Sequence, residues 1–167
     1  MTGIQKVFLV AALAVGAVFG WRTIRSALAS DEDKVRWVFQ DMEHGFNNTR
    51  MAPVIGGFAK SYQDESSGVT RAELREILAY LFLRKHDPET KRFRLRVEID
   101  EEALAVAIDE VSRKATVSGA ARFFDTLGDE EQIFWDARFE AELVDAGEGW
   151  EVVQTGRVNV AEMEDLR

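Results

Sequence analysis

Apolar residues in this chain fall into three regimes. Val7 to Gly20 is an unbroken apolar run, with Lys6 before it and Trp21, Arg22 and Arg25 after it. From Lys34 to about Arg84 apolar residues recur at helical spacing. Beyond Pro88 they alternate with polar residues at the period of a strand.

The helical stretch divides into three elements. Val35, Val38, Phe39, Met42 and Phe46 lie on one face of a first helix, which Asp31 or Asp33 can cap and Asn47-Asn48 stops. A short second helix is predicted from about Met51 to Lys60. Pro53 suits its first turn, while Gly56-Gly57 weakens it by about 1 kcal/mol per glycine. A polar loop from Tyr62 to Gly68 follows. Thr70 and Glu73 form a capping box for the third helix, whose apolar residues are Leu74, Ile77, Leu78, Leu81 and Phe82. His86-Asp87-Pro88 ends it, because a residue before proline avoids the α region.

The alternating stretches predict strands around Phe93 to Ile99, Leu104 to Ile108, Val117 to Phe123, Ile133 to Leu143 and Trp150 to Val160. Gly128-Asp129 and Gly147-Glu148-Gly149 are turn signals between them, and Gly119 and Gly156 suit bends or bulges. Helices followed by an antiparallel meander with one apolar face predict an α+β domain, the helices packed on a curved sheet.

The N-terminal run has no polar stripe and predicts a membrane segment over residues 1–30, ahead of one domain over 31–167. Two fates fit. Ala27-Leu28-Ala29 supplies a small-x-small cleavage site for a signal peptide, although Arg22 and Arg25 fall between the run and the cut. Alternatively, residues 4–21 form an uncleaved single-pass anchor near the shortest span of about 17 residues, with Trp21 at the interface. We expect the anchor, in a cell inner membrane with the domain on the periplasmic side. Secretion after cleavage near Ala29 and a cytoplasmic domain are the alternatives, since Lys6 and the amine nearly balance Arg22 and Arg25.

Charge and cysteine content narrow the functions. The net charge is −9, which disfavours nucleic acid and anionic lipid as partners of the domain as a whole. Without cysteine there is no disulfide, thiolate nucleophile or cysteine-ligated metal.

Three stretches carry a family resemblance: Phe58-Ala59-Lys60-Ser61-Tyr62-Gln63-Asp64, Gly68-Val69-Thr70-Arg71-Ala72-Glu73-Leu74, and the closing pair Phe134 to Leu143 and Gly149-Trp150-Glu151-Val152-Val153. Over about residues 34 to 161 the chain resembles the nuclear transport factor 2-like superfamily, which includes SnoaL-like and ketosteroid isomerase-like proteins. The resemblance implies a conical cavity between sheet and helices, used by some members for isomerase, dehydratase or cyclase chemistry and by others for binding alone. It also implies homodimerisation through the open sheet face, for which Phe134 on the polar side of its strand and Trp37 off the helical stripe are candidate contacts.

Candidate chemistry is sparse. Tyr62 and Asp64 fall where the resemblance places the cavity mouth, as donor and general base. His44 lies off the apolar stripe of the first helix, and His86 at the end of the third, where it complements the helix dipole. Trp135 shares a face with Ile133 and Phe139, and Trp135, Phe139, Leu78 and Tyr80 are the expected cavity lining. Asp136 shares a charged face with Arg138 and Glu140. Arg92, Arg94 and Arg96 form a basic row suited to cross-strand acids or to an anionic partner. No metal spacing, cofactor motif or phosphate loop is present. The expectation is a tethered or exported module binding a small apolar ligand or a protein partner without catalysis. The alternatives are an isomerase or dehydratase using Tyr62, Asp64 or His44, and a structural subunit of an envelope complex.

Overall fold

A computed structural model of the chain describes residues 29–127, 131–147, 149–156 and 159–160. The expected membrane segment lies outside them, and among the described residues no helix is long and apolar enough to cross a membrane.

Helix α1 spans Asp31–Asn47, and its cap is Ser30 rather than either aspartate. Ser30 Oγ accepts the Asp33 N–H at 3.1 Å, and the Asp33 carboxylate accepts the Ser30 N–H at 3.2 Å. The serine takes the role because a cap needs extended backbone, which Ser30 has at ψ 158°, whereas both aspartates are already helical.

Helix α2, Met51–Gly56, ends well before Lys60. Residues Phe58–Asp64 form strand β1 instead. Gly57 is the reason the chain can turn there. A Cβ on it would lie 2.6 Å from Met42 Sδ, so a larger residue would have to displace the Met42 side chain for the backbone to press onto α1. Helix α3, Arg71–Arg84, starts at the predicted capping box, with Thr70 Oγ1 accepting the Glu73 N–H and Glu73 accepting the Thr70 N–H.

The remaining strands are β2 Leu95–Ile99, β3 Ala105–Asp109, β4 Lys114–Asp125, β5 Gln132–Asp145, β6 Trp150–Thr155 and β7 Asn159–Val160. They form one sheet in the order β1-β6-β5-β4-β2, with β3 also on β4 and β7 also on β5. The sheet is mixed rather than a pure meander, because β1 runs parallel to β6. The fold class is nonetheless α+β, with α1 lying against β2, β3 and β6.

The bends sit elsewhere than on the two glycines. Phe123 pairs with Trp135 and Phe124 with Ile133, so Phe134 is the extra residue of a bulge in β5. A second shift leaves Val153 over on β6, between Gln154 opposite Glu142 and Val152 opposite Leu143. Gly119 serves packing: a Cβ on it would meet Leu104 Cδ2 at 2.4 Å and Phe139 Cζ at 3.1 Å.

The bulge reassigns two side chains. Phe134 turns to the core side, its ring centroid 6.2 Å from that of Phe123 and its side chain against the buried cluster. It is therefore not an outward contact. Ile133, one residue before the bulge, loses the face of Trp135 and is exposed beside Phe124. Phe124 is itself buried on that outer side under the Arg96 guanidinium, 4.3 Å above its ring.

Leu143, Val117, Val152 and Val35 are the most completely buried large side chains, each contributing about 1.5–3 kcal/mol of hydrophobic stabilisation. Phe46 anchors the helix–sheet seam, with Phe82, Phe93 and Phe123 packed edge-on at 5.7, 5.6 and 6.1 Å.

Candidate functional site

Between α1, α3 and the concave side of the sheet is a cavity of about 340 Å³. Phe39, Met42 and Phe46 of α1 form one wall and Leu74, Ile77, Leu78 and Leu81 of α3 another. Val97, Ile99, Ala121, Phe123, Trp135, Phe139, Ala141 and Val152 come from the sheet. Two cross-strand and helix–sheet stacks shape it. Phe123 lies 4.6 Å from Trp135 at 25°, and Phe39 lies 5.5 Å from Phe139 at 26°.

Trp135, Phe139 and Leu78 lie on the cavity wall. Tyr80 does not. It is 61% exposed, because α3 presents Leu74, Leu78 and Leu81 inward and turns Tyr80 outward. Ile77 lines the cavity yet is 46% exposed, and so stands at its mouth.

Among the described residues, Glu43 and Thr155 bring oxygen-bearing side chains to the lining, both already engaged, and Trp135 brings an indole N–H. Glu43 Oε2 accepts the Ile99 N–H at 2.9 Å. Burial pushes the Glu43 carboxyl up from the ordinary glutamate range, against the pull of that hydrogen bond, and the neighbouring Glu101 and Glu98 add to the rise. Sequence reasoning misses Glu43. The only available signal is a carboxylate one turn after Phe39, beside Met42, on the edge of the apolar stripe.

Thr155 is the centre of a relay. Its hydroxyl donates to Asp64 Oδ2 at 2.6 Å, so the Tyr62 hydroxyl 2.8 Å away must donate to Thr155. The two candidates Tyr62 and Asp64 are thus brought together, but through a third residue. Partial burial pulls Asp64 upward, yet hydrogen bonds from Ser67, Thr155 and Ser66 outweigh it and hold the carboxyl well below the usual carboxylate range. Burial pushes the Tyr62 phenol up, partly offset by the bond to Thr155, with the charge of Asp64 adding to the rise. An aspartate so firmly ionised is a weak proton acceptor near neutrality. Its other oxygen also closes the Asp64–Ser67 turn.

His44 is exposed on α1 with Asn48 Nδ2 3.3 Å from its Nδ1, away from the cavity. His86 is half-buried against Phe93, ring centroids 5.9 Å apart. Trp135 Nε1 is shielded and meets no acceptor. Of the basic row, Arg94 pairs with Asp125 and Arg96 with Glu98 and Glu131, while Arg92 is exposed. Among the described residues no three acidic or histidine side chains gather as a metal-holding group. The resulting wall presents carbon almost exclusively, which suits transfer of an apolar molecule out of water better than proton transfer.

No protein-family model and no curated protein sequence matches the chain. Its likeness is to solved structures. A function-unknown protein from Mycobacterium tuberculosis superposes with a TM-score of 0.63 at 15% identity, over 78% of this chain and 76% of that one. A provisionally assigned scytalone dehydratase from Novosphingobium aromaticivorans gives 0.62 at 10% identity, over 81% and 88%. An NTF2-like protein with a cystatin-like fold from the same organism gives 0.61 at 11% identity, over 80% and 84%. These structures include proteins with an enzymatic designation and proteins without one, and the chain shares their cystatin-like fold.

Proposed function

We propose that this domain binds a small apolar molecule in its cavity, and that residues 4–21 hold the chain at a membrane or direct its export. The observation that supports binding is the carbon-lined cavity, in which Glu43 and Thr155 are already hydrogen-bonded within the protein and the shielded Trp135 Nε1 is the one lining donor, among the described residues, without a partner. Such a site rewards hydrophobic burial and offers no paired acid and base. The support for the membrane role is the apolar run Val7 to Gly20 with its basic flanks.

Titration with the neutral fluorophore N-phenyl-1-naphthylamine tests the binding. Saturable fluorescence enhancement is expected, abolished by Ala121→Phe, which fills the cavity from β4. Enhancement that survives the filled cavity overturns the reading. A reporter fused after Ser30, active only in the cytoplasm, overturns export of the domain.

A second reading, acid–base catalysis, draws on Glu43, whose carboxyl is pushed up by burial at the cavity wall. Glu43→Gln separates the two. Fluorophore binding persists under the first reading, whereas any isomerase or dehydratase turnover is lost under the second. Homodimerisation through the open sheet face remains a companion proposal, supported by the exposed Ile133 on that side and tested by sedimentation of Ile133→Glu.

A further inference from the structure

Helix α3 is apolar on more than one side. Leu74, Ile77, Leu78 and Leu81 line the cavity, Ile77 at its mouth and 46% exposed, while Tyr80 and Leu83 are 61% and 77% exposed. Spacing of three residues places Ile77, Tyr80 and Leu83 along one outward row, with Arg84 one turn beyond Tyr80.

Charge indicates what such a row would meet. Arg84, Lys85, Lys91 and Arg92 are exposed, and none makes an ion pair among the described residues. They are held together by the tight connection after α3. Asp87 N–H donates to the Arg92 carbonyl at 2.8 Å, Lys91 N–H to the Asp87 carbonyl at 2.9 Å, and Arg94 N–H to the Lys85 carbonyl at 3.0 Å. Lys91 Nζ reaches the Pro88 carbonyl at 2.5 Å. Of the nearby acids, Asp87 is buried and accepts the Glu89 and Thr90 N–H groups, and Glu89 is exposed. Glu73 and Glu76 lie on the N-terminal half of α3, Glu76 exposed one turn before Tyr80 and two turns before Arg84. Among the described residues these four exposed bases gather after α3 and border the exposed apolar row.

We propose that the C-terminal half of α3 and the connection to β2 dock on an anionic lipid surface, with Ile77, Tyr80 and Leu83 entering the interface and Arg84, Lys85, Lys91 and Arg92 among the head groups. Apolar side chains flanked by lysine and arginine are the pattern of interfacial helices. Ile77 belongs both to this row and to the cavity mouth, so docking would put the cavity opening against the hydrocarbon.

The chain has no cysteine, so Leu83→Cys gives a single labelling site on the full-length protein, and Val111→Cys gives a control at the other end of β4. With a bimane label, quenching by brominated lipid in phosphatidylglycerol-containing vesicles is expected at position 83 and not at 111. Replacing Arg84 or Lys85 with Glu lowers it by about fivefold or more for each basic residue removed. Equal quenching in purely zwitterionic vesicles, equal quenching at both positions, or none at 83 overturns the proposal. So does concentration-dependent excimer emission from pyrene at 83 without lipid, which assigns the face to self-association. Naphthylamine binding by the same variants is unaffected, which keeps this result separate from that of the cavity.

Discussion

Glu43 and Ile99 join α1 to β2 by a carboxylate-to-backbone hydrogen bond of 2.9 Å at the wall of an apolar cavity. Because burial raises the folded-state pKa of Glu43 above its unfolded value, the native state holds this proton more tightly. Its contribution to stability is fully present below the unfolded glutamate pKa of about 4.3 and is lost as pH rises through the folded value. Glu43→Gln keeps an acceptor for Ile99 without the titration. Urea denaturation is expected to find it more stable than wild type at pH 7, the advantage disappearing by about pH 4. Glu43→Leu leaves the Ile99 N–H without its partner and is expected to be less stable than the Gln variant by about 1–3 kcal/mol.

The relay through Thr155 has the opposite pH sign. Asp64 is held below the usual range, so its stabilisation is present above the unfolded aspartate pKa of about 3.9 and is lost as pH falls through the lower folded value. Thr155→Val removes the donor to Asp64 and the acceptor for buried Tyr62 together. A loss of about 1–3 kcal/mol is expected at pH 7, from the stranded Tyr62 hydroxyl. The acid limb of the stability–pH curve flattens relative to wild type. Tyr62→Phe with Thr155→Val recovers part of the loss, since no buried hydroxyl is then left unpaired. A double variant as unstable as Thr155→Val alone would contradict the relay.

The legible parts of this fold are the locally encoded ones. Thr70 and Glu73 are three residues apart, so the start of α3 is written in adjacent positions. The alternation from Trp135 to Leu143 follows directly from strand period. The same alternation misplaces Ile133 and Phe134, because a bulge is a property of the pairing of two strands, and Phe123 and Phe124 decide it from β4. Strand β1 was hidden for a similar reason. Its residues neither alternate cleanly nor favour strand strongly, and its extended form rests on parallel pairing with β6. Trp135, Phe139 and Leu78 are legible as cavity lining from their apolar faces, whereas Tyr80 was drawn inward by its apolar neighbours on α3. Glu43 was not legible, since its partner is a backbone N–H on a strand far along the chain.

Arg96 covers Phe124 on the outer side of the sheet and also pairs with Glu98 and Glu131. These ion pairs are partly exposed and individually weak, so the aromatic contact is expected to dominate the effect of substitution. Arg96→Gln is expected to cost about 0.5–1 kcal/mol, with little change when 0.5 M salt is added. A cost that vanishes in salt would assign Arg96 to its carboxylates instead.

Gly119 gives the sharpest packing test, because its hydrogen stands where Leu104 and Phe139 meet over β4. Its backbone is ordinary strand, so an added methyl group is opposed by volume alone. Gly119→Ala must push Leu104, itself almost fully buried, or tilt Phe139 away from its stack on Phe39. Overpacking of this kind costs about 1–3 kcal/mol. Shortening Leu104 to Ala alone leaves a hole and costs about 2–5 kcal/mol. In the double variant the new methyl group occupies space that the leucine vacated, so the two losses do not add, and a coupling of about 0.5–3 kcal/mol is expected from a thermodynamic cycle in urea. Strict additivity would mean that the two side chains do not meet. Because Phe139 lines the cavity, the single variant Gly119→Ala should also weaken naphthylamine binding, and the added Leu104→Ala change should restore it. That restoration would tie the packing of one strand residue to the shape of the binding space.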